Sequence, residues 1–87
     1  MSVEQTLLER GSRYGSFKGH SNYTQSIKDS YRVNEINWTK LNDSQREALD
    51  MIAHKIGRIL NGDPNYADSW HDIAGYATLI EQELQGS

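Results

Sequence analysis

The sequence predicts an all-α fold, a small antiparallel bundle of about four helices whose two long C-terminal members lie near residues 43–61 and 66–85. Three observations lead there. Leu49, Ile52, Ala53, Ile56, Ile59 and Leu60 fall on one face of a helical wheel, with Glu47, Asp50, His54 and Arg58 opposite. Ser2 with Gln5 and Asn42 with Gln45 have the spacing of capping boxes, in which each side chain satisfies a backbone N–H that the helix start leaves open. No strand-like alternation is long enough to build a sheet, and the chain has no internal repeat or low-complexity tract.

Taken in order, the first helix starts at the Ser2–Gln5 box, carries Val3, Leu7 and Leu8, and is expected to stop at Gly11. Residues 11–20 bring three glycines together with Arg13, Lys18 and His20, a composition that reads as an ordered loop. Ser21 or Asn22 then caps a second helix reaching about Arg32, with Tyr23, Ile27 and Tyr31 as its apolar-aromatic stripe. Residues 33–40 read as a connection pinned to the core by Ile36 and Trp38. The third helix follows the Asn42 cap and ends at Asn61-Gly62-Asp63-Pro64-Asn65, where Gly62 suits a helix end and Pro64 cannot continue the turn. The last helix is expected to bury Trp70, Ile73, Ala77, Ile80 and Leu84, while Asp68, Asp72, Gly75 and Leu79 form a second face that meets something other than bulk water. No composition shift marks a domain boundary.

Composition narrows the function classes. A chain of 87 residues can bury only a modest core, which makes a partner subunit an expectation from size alone. Nine Lys and Arg against twelve Asp and Glu, a formal net charge of −3, argue against a duplex nucleic-acid partner, though not against a local basic patch. With no Cys, a metal would depend on carboxylates or on His20, His54 and His71, and a hard cation such as Mg²⁺ fits that donor set. No signal-like start and no apolar run of membrane length is present, so the expected location is the cytoplasm, with no membrane partner.

The strongest chemical candidates are Glu47, Asp50, Asp68 and Asp72, paired within each long helix at spacings that share a helix face. If the polar faces of these two helices turn toward a common cleft, the carboxylates converge and need a divalent cation, which in turn binds phosphates and orients water. The competing reading is that Glu47, Asp50 and Asp68 complement the positive ends of helix dipoles. His54 and His71 each lie near a carboxylate and read either as base or ligand or as ordinary ion-pair partners. Arg10, Arg13, Lys18, Lys55 and Arg58 are the phosphate-neutralising candidates, with solvation of the surface as their alternative. Tyr14, Trp38, Trp70 and Tyr76 can stack on a base or pack in the core. Tyr14 is the best placed for stacking, because it sits between Arg13 and Gly15 where backbone amides can approach an anion. The glycine spacing is not that of a P-loop, which needs a Gly-Lys-Ser/Thr ending.

Three segments, Glu9-Arg10-Gly11-Ser12-Arg13-Tyr14-Gly15-Ser16-Phe17, Met51-Ile52-Ala53-His54-Lys55-Ile56-Gly57-Arg58-Ile59-Leu60 and Asp68-Ser69-Trp70-His71-Asp72-Ile73-Ala74-Gly75-Tyr76-Ala77, together resemble a small bacteriophage and prophage domain of unknown function. That domain is similar to nucleotide-modification-associated phage proteins and, more distantly, to the all-α MazG-like nucleoside triphosphate pyrophosphohydrolases. The resemblance implies a MazG-like bundle completed by dimer or tetramer formation. It also implies Mg²⁺ held by counterparts of the E-x-x-E and E-x-x-D elements, here Glu47-x-x-Asp50 and Asp68-x-x-x-Asp72, with an Asp replacing a Glu in each and one extra residue in the second. Two functions follow as expectations. One is nucleotide binding, with Mg-dependent pyrophosphohydrolysis as its catalytic extension; Arg10, Arg13, Tyr14, Lys18, His54, Lys55, Arg58 and Tyr76 are its ligand-binding candidates. The other is a non-catalytic phage accessory protein that binds a host or defence protein or sequesters a signalling nucleotide.

Overall fold

The computed structural model describes residues 2–86, and among these the chain is helices and short connections, with no strand. Five helices succeed one another: α1 (Val3–Tyr14), α2 (Phe17–Arg32), α3 (Glu35–Thr39), α4 (Asp43–Asn61) and α5 (Ala67–Gly86). The two long C-terminal helices stand where the periodicity put them. The Asn42–Gln45 and Ser2–Gln5 boxes are both closed in each direction, so α4 and α1 begin as read.

Residues 11–20 depart from the expected loop. The helix α1 runs through Gly11, whose position faces open space, and stops at Gly15 instead. Gly15 has φ 76°, a left-handed conformation that side-chain-bearing residues rarely adopt. Ser16, not Ser21 or Asn22, then caps α2 by accepting from the Gly19 N–H. Two residues, Gly15 and Ser16, therefore separate the helices where ten were read as irregular, because an exposed helix tolerates Gly11 at a cost of about 1 kcal/mol. Residues 33–40 also hold more order than a connection: Asn34 accepts from Asn37 N–H and opens the short α3. The bundle thus has five helices where about four were expected.

The helix α4 is the centre of the arrangement. α2 and α5 each pack along it, α1 touches both α4 and α2, and no comparably extensive contact joins α2 to α5. Gly57 marks a close approach of α2 to α4, since a Cβ there would collide with Thr24 Oγ1 and crowd the His20 ring. The junction of α1 and α2 is tied to the end of α4. Asn61 Nδ2 donates to the carbonyl oxygens of Tyr14 (2.8 Å) and Ser16 (2.7 Å), and the Asp63 N–H donates to the Arg13 carbonyl at 2.7 Å.

Apolar burial is slight. Ala48 and Ala53 are the buried apolar residues among those described, while Leu60, Trp70, Leu79 and Leu84 are each more than half exposed. The expected core face of α5 is therefore only partly covered. Ile73 and Ile80 are half-buried, Trp70, Ala77 and Leu84 are exposed, and the Trp70 indole N–H donates to the Pro64 carbonyl at 2.9 Å. Among the described residues no helix is long and apolar enough to cross a membrane.

Candidate functional site

The polar face of α4 does not turn toward α5, as a shared carboxylate cleft would require. It packs against α2. Asp50 accepts from the Tyr31 hydroxyl at 2.6 Å and from Arg32 Nη2 at 2.8 and 2.9 Å, which neutralises it within the α2–α4 seam. Burial and the Asp50 hydrogen bond together push the Tyr31 phenol well above its ordinary range, so it stays a donor. Asp72, on α5, pairs with Lys55 at 3.0 Å, and this buried lysine brings its own counter-charge to that seam. Glu47 is exposed, and Asp68 is exposed and accepts from the Tyr66 hydroxyl at 3.1 Å. Among the described residues no three His, Asp or Glu side chains gather closely enough to hold a metal ion. The four carboxylates expected to hold Mg²⁺ thus do not fit one, because Asp50 and Asp72 each serve a separate helix seam.

The cationic and aromatic candidates gather more closely. α1, the Gly15-Ser16 junction, the first turns of α2 and the middle of α4 enclose a cavity of about 510 Å³ lined by Leu7, Arg10, Gly11, Tyr14, Gly15, Ser16, Phe17, His20, His54 and Arg58. Four sequence candidates, Arg10, Tyr14, His54 and Arg58, meet there. The Arg58 guanidinium lies 4.5 Å from the centre of the Tyr14 ring, a cation–π arrangement that holds both side chains at the wall. Neither arginine has a carboxylate partner among the described residues, and no Asp or Glu lines the cavity.

Beneath the cavity lies a polar relay joining α2 and α4. Lys28 Nζ is 3.1 Å from His54 Nε2, and His54 Nδ1 is 3.4 Å from His20 Nε2. An ammonium can only donate, which assigns His54 as acceptor at Nε2 and donor at Nδ1, and His20 as acceptor at Nε2. Thr24 Oγ1 stands 3.3 Å from that same His20 nitrogen. His20 Nδ1 then carries the remaining proton and is buried without a partner. Burial lowers the pKa of both imidazoles, and neighbouring cations add to the effect: Arg58 and Lys28 at each, with the other imidazole acting on His20. Asp50 partly opposes the shift at His54.

Four other ligand candidates lie elsewhere. Arg13 stacks on Tyr66 at 5.2 Å, Lys55 is committed to Asp72, and Lys18 is exposed on the first turn of α2. Tyr76 borders a separate shallow depression on α5 with His71 and Asp72. Leu7, Phe17 and His20 line the cavity without having been singled out as ligand-binding. The available signal was the four-residue spacing of His20, Thr24 and Lys28, which becomes visible once the second helix is started at Ser16. No known family model, curated protein or solved structure matches this chain.

Proposed function

We propose that the cavity between α1, α2 and α4 binds a phosphorylated nucleotide and holds it without cleaving it. The observation that carries this reading is the composition of its wall: two guanidinium groups and two imidazoles beside the Tyr14 and Phe17 rings, with no carboxylate. Unpaired arginines favour a phosphate in bidentate geometry, and aromatic faces favour a base. The cavity volume falls within the roughly 300–1,000 Å³ of small-molecule sites. Binding without hydrolysis is favoured because, among the described residues, no metal-holding set of side chains accompanies the cavity, and because the two imidazoles are engaged with each other and with Lys28. Combined with the resemblance to phage proteins, the role becomes that of an accessory protein that sequesters a nucleotide.

Isothermal titration calorimetry with nucleoside mono-, di- and triphosphates tests this. Saturable heats unaffected by EDTA are expected, with the ligand recovered intact after denaturation. Arg58→Ala removes a charge-assisted contact of about 1.5–3 kcal/mol, so affinity should fall by roughly ten- to a hundredfold. Silence across the panel removes the proposal, and a hydrolysed product removes its non-catalytic part.

A further inference from the structure

The side of α4 away from the relay carries a different kind of surface. Leu49, Ile52, Ile56 and Leu60 recur at helical spacing along it, and Leu49 and Leu60 are 39% and 56% exposed. Between this stripe and α5 runs a groove of about 320 Å³ whose walls include Ala48, Leu49 and Ile52 of α4 and Ala77 and Ile80 of α5. No charged residue lines it. α4 thus carries a polar seam against α2 and an open apolar trough beside α5.

The dimensions of the chain say how much is missing. A compact monomer of 9.9 kDa exposes about 5,200 Å², whereas this chain exposes 6294 Å², an excess of about 1,100 Å². Its radius of gyration is 14.8 Å, against about 12 Å for a compact domain of this length. A standard interface removes about 800 Å² from each partner, so the excess is enough for one subunit face.

We infer that the α4–α5 groove is the seat of a second copy of this chain, the two grooves facing each other across a twofold axis. The occupant follows from the energetics of the chain. With two alanines as its buried apolar residues, the helix layer lacks a core that could hold it together alone. The covering layer must therefore be present whenever the chain folds, and the chain itself is the one molecule that always is. An uncharged, self-similar trough also suits a twofold contact, in which the same patch is used by both partners.

The test is the mass of the purified full chain by sedimentation velocity from micromolar to submillimolar concentration. Twice 9.9 kDa is expected. Leu49 lines the groove and Leu84 lies one turn beyond Ile80 on the same face of α5; at 39% and 64% exposed, their replacement in L49K and L84K costs little packing unless a partner covers them. Their combination should weaken association at least tenfold, while Leu8→Lys on α1 should leave it unchanged. A monomer at every concentration overturns the inference. So does a dimer broken by Leu8→Lys and not by the groove pair, or a foreign protein bound to the groove in equal amount. Where L49K/L84K fails to fold, Ala77→Cys supplies a second measurement, since the chain has no cysteine of its own. A spin label there should show a dipolar distance between copies, and its absence would overturn the inference.

Discussion

Replacing Asp50 by alanine separates two accounts of the acidic residues. In the structure Asp50 accepts one hydrogen bond from Tyr31 and two from Arg32, with side-chain exposures of 21% for Asp50 and 41% for Arg32. An exposed ion pair contributes about 0.2–1 kcal/mol, and breaking a fully buried one costs about 3–5 kcal/mol. A half-buried pair with three hydrogen bonds lies between these limits, so Asp50→Ala should cost about 2 kcal/mol. The loss is sharpened because Arg32 Nε is already buried without a partner. For a domain of this size, 2 kcal/mol corresponds to a fall in Tm of roughly 8–16 °C. Asp50→Asn should cost less, since the amide oxygen still accepts from Tyr31. The assay is thermal unfolding in EDTA, at one fixed protein concentration because self-association shifts apparent stability. If Asp50 instead belonged to a crowd of carboxylates awaiting a cation, its removal would relieve repulsion and raise Tm in EDTA. A variant as stable as its parent, or more so, refutes the helix-seam account.

Two further outcomes follow from the site. His20 and His54 have lowered folded-state pKa values against an ordinary 6.5, so their contribution to stability is fully present above that pH. It is lost as pH falls and the unfolded chain takes up protons that the folded pair resists. Tm followed by circular dichroism should therefore drop on acidification below 6.5, less steeply in His54→Gln, and a flat profile would contradict the relay. Asn61→Ala removes two of the three hydrogen bonds that tie the α1–α2 junction to the end of α4, at a cost of about 1–3 kcal/mol. Amide exchange in α1 should accelerate, and any ligand of the cavity should bind more weakly. Unchanged exchange would show that the junction is held elsewhere.

The sequence revealed most where local rules and packing agree. Asn42, Gln45 and the apolar stripe of α4 define a long helix by capping and by period alone, and both survive in three dimensions. Gly11 misled because a glycine inside an exposed helix costs little, whereas the real break at Gly15 depends on a backbone conformation and on contact with Asn61, which is distant in sequence. Starting α2 too late hid His20 from its helical neighbours Thr24 and Lys28. Arg10, Tyr14, His54 and Arg58 were legible as candidates because residue chemistry named them, and the structure brings them to one cavity. The carboxylates misled for a different reason. Helical spacing says which residues share a face, but not which neighbour that face meets, and Asp50 meets Arg32.

The position of α4 between two unlike surroundings bears on how this sequence can vary. Successive helical residues are offset by about 100°, so substitutions along α4 act locally, one side chain at a time. A single inserted or deleted residue near Ile52 would instead rotate everything beyond it, swinging His54 and Arg58 out of the cavity wall and turning Ile56 and Leu60 out of line with Leu49 on the apolar face. Length variation in this protein therefore belongs in the turns that flank α4, and the helix itself should keep a fixed count of residues between Asn42 and Asn61.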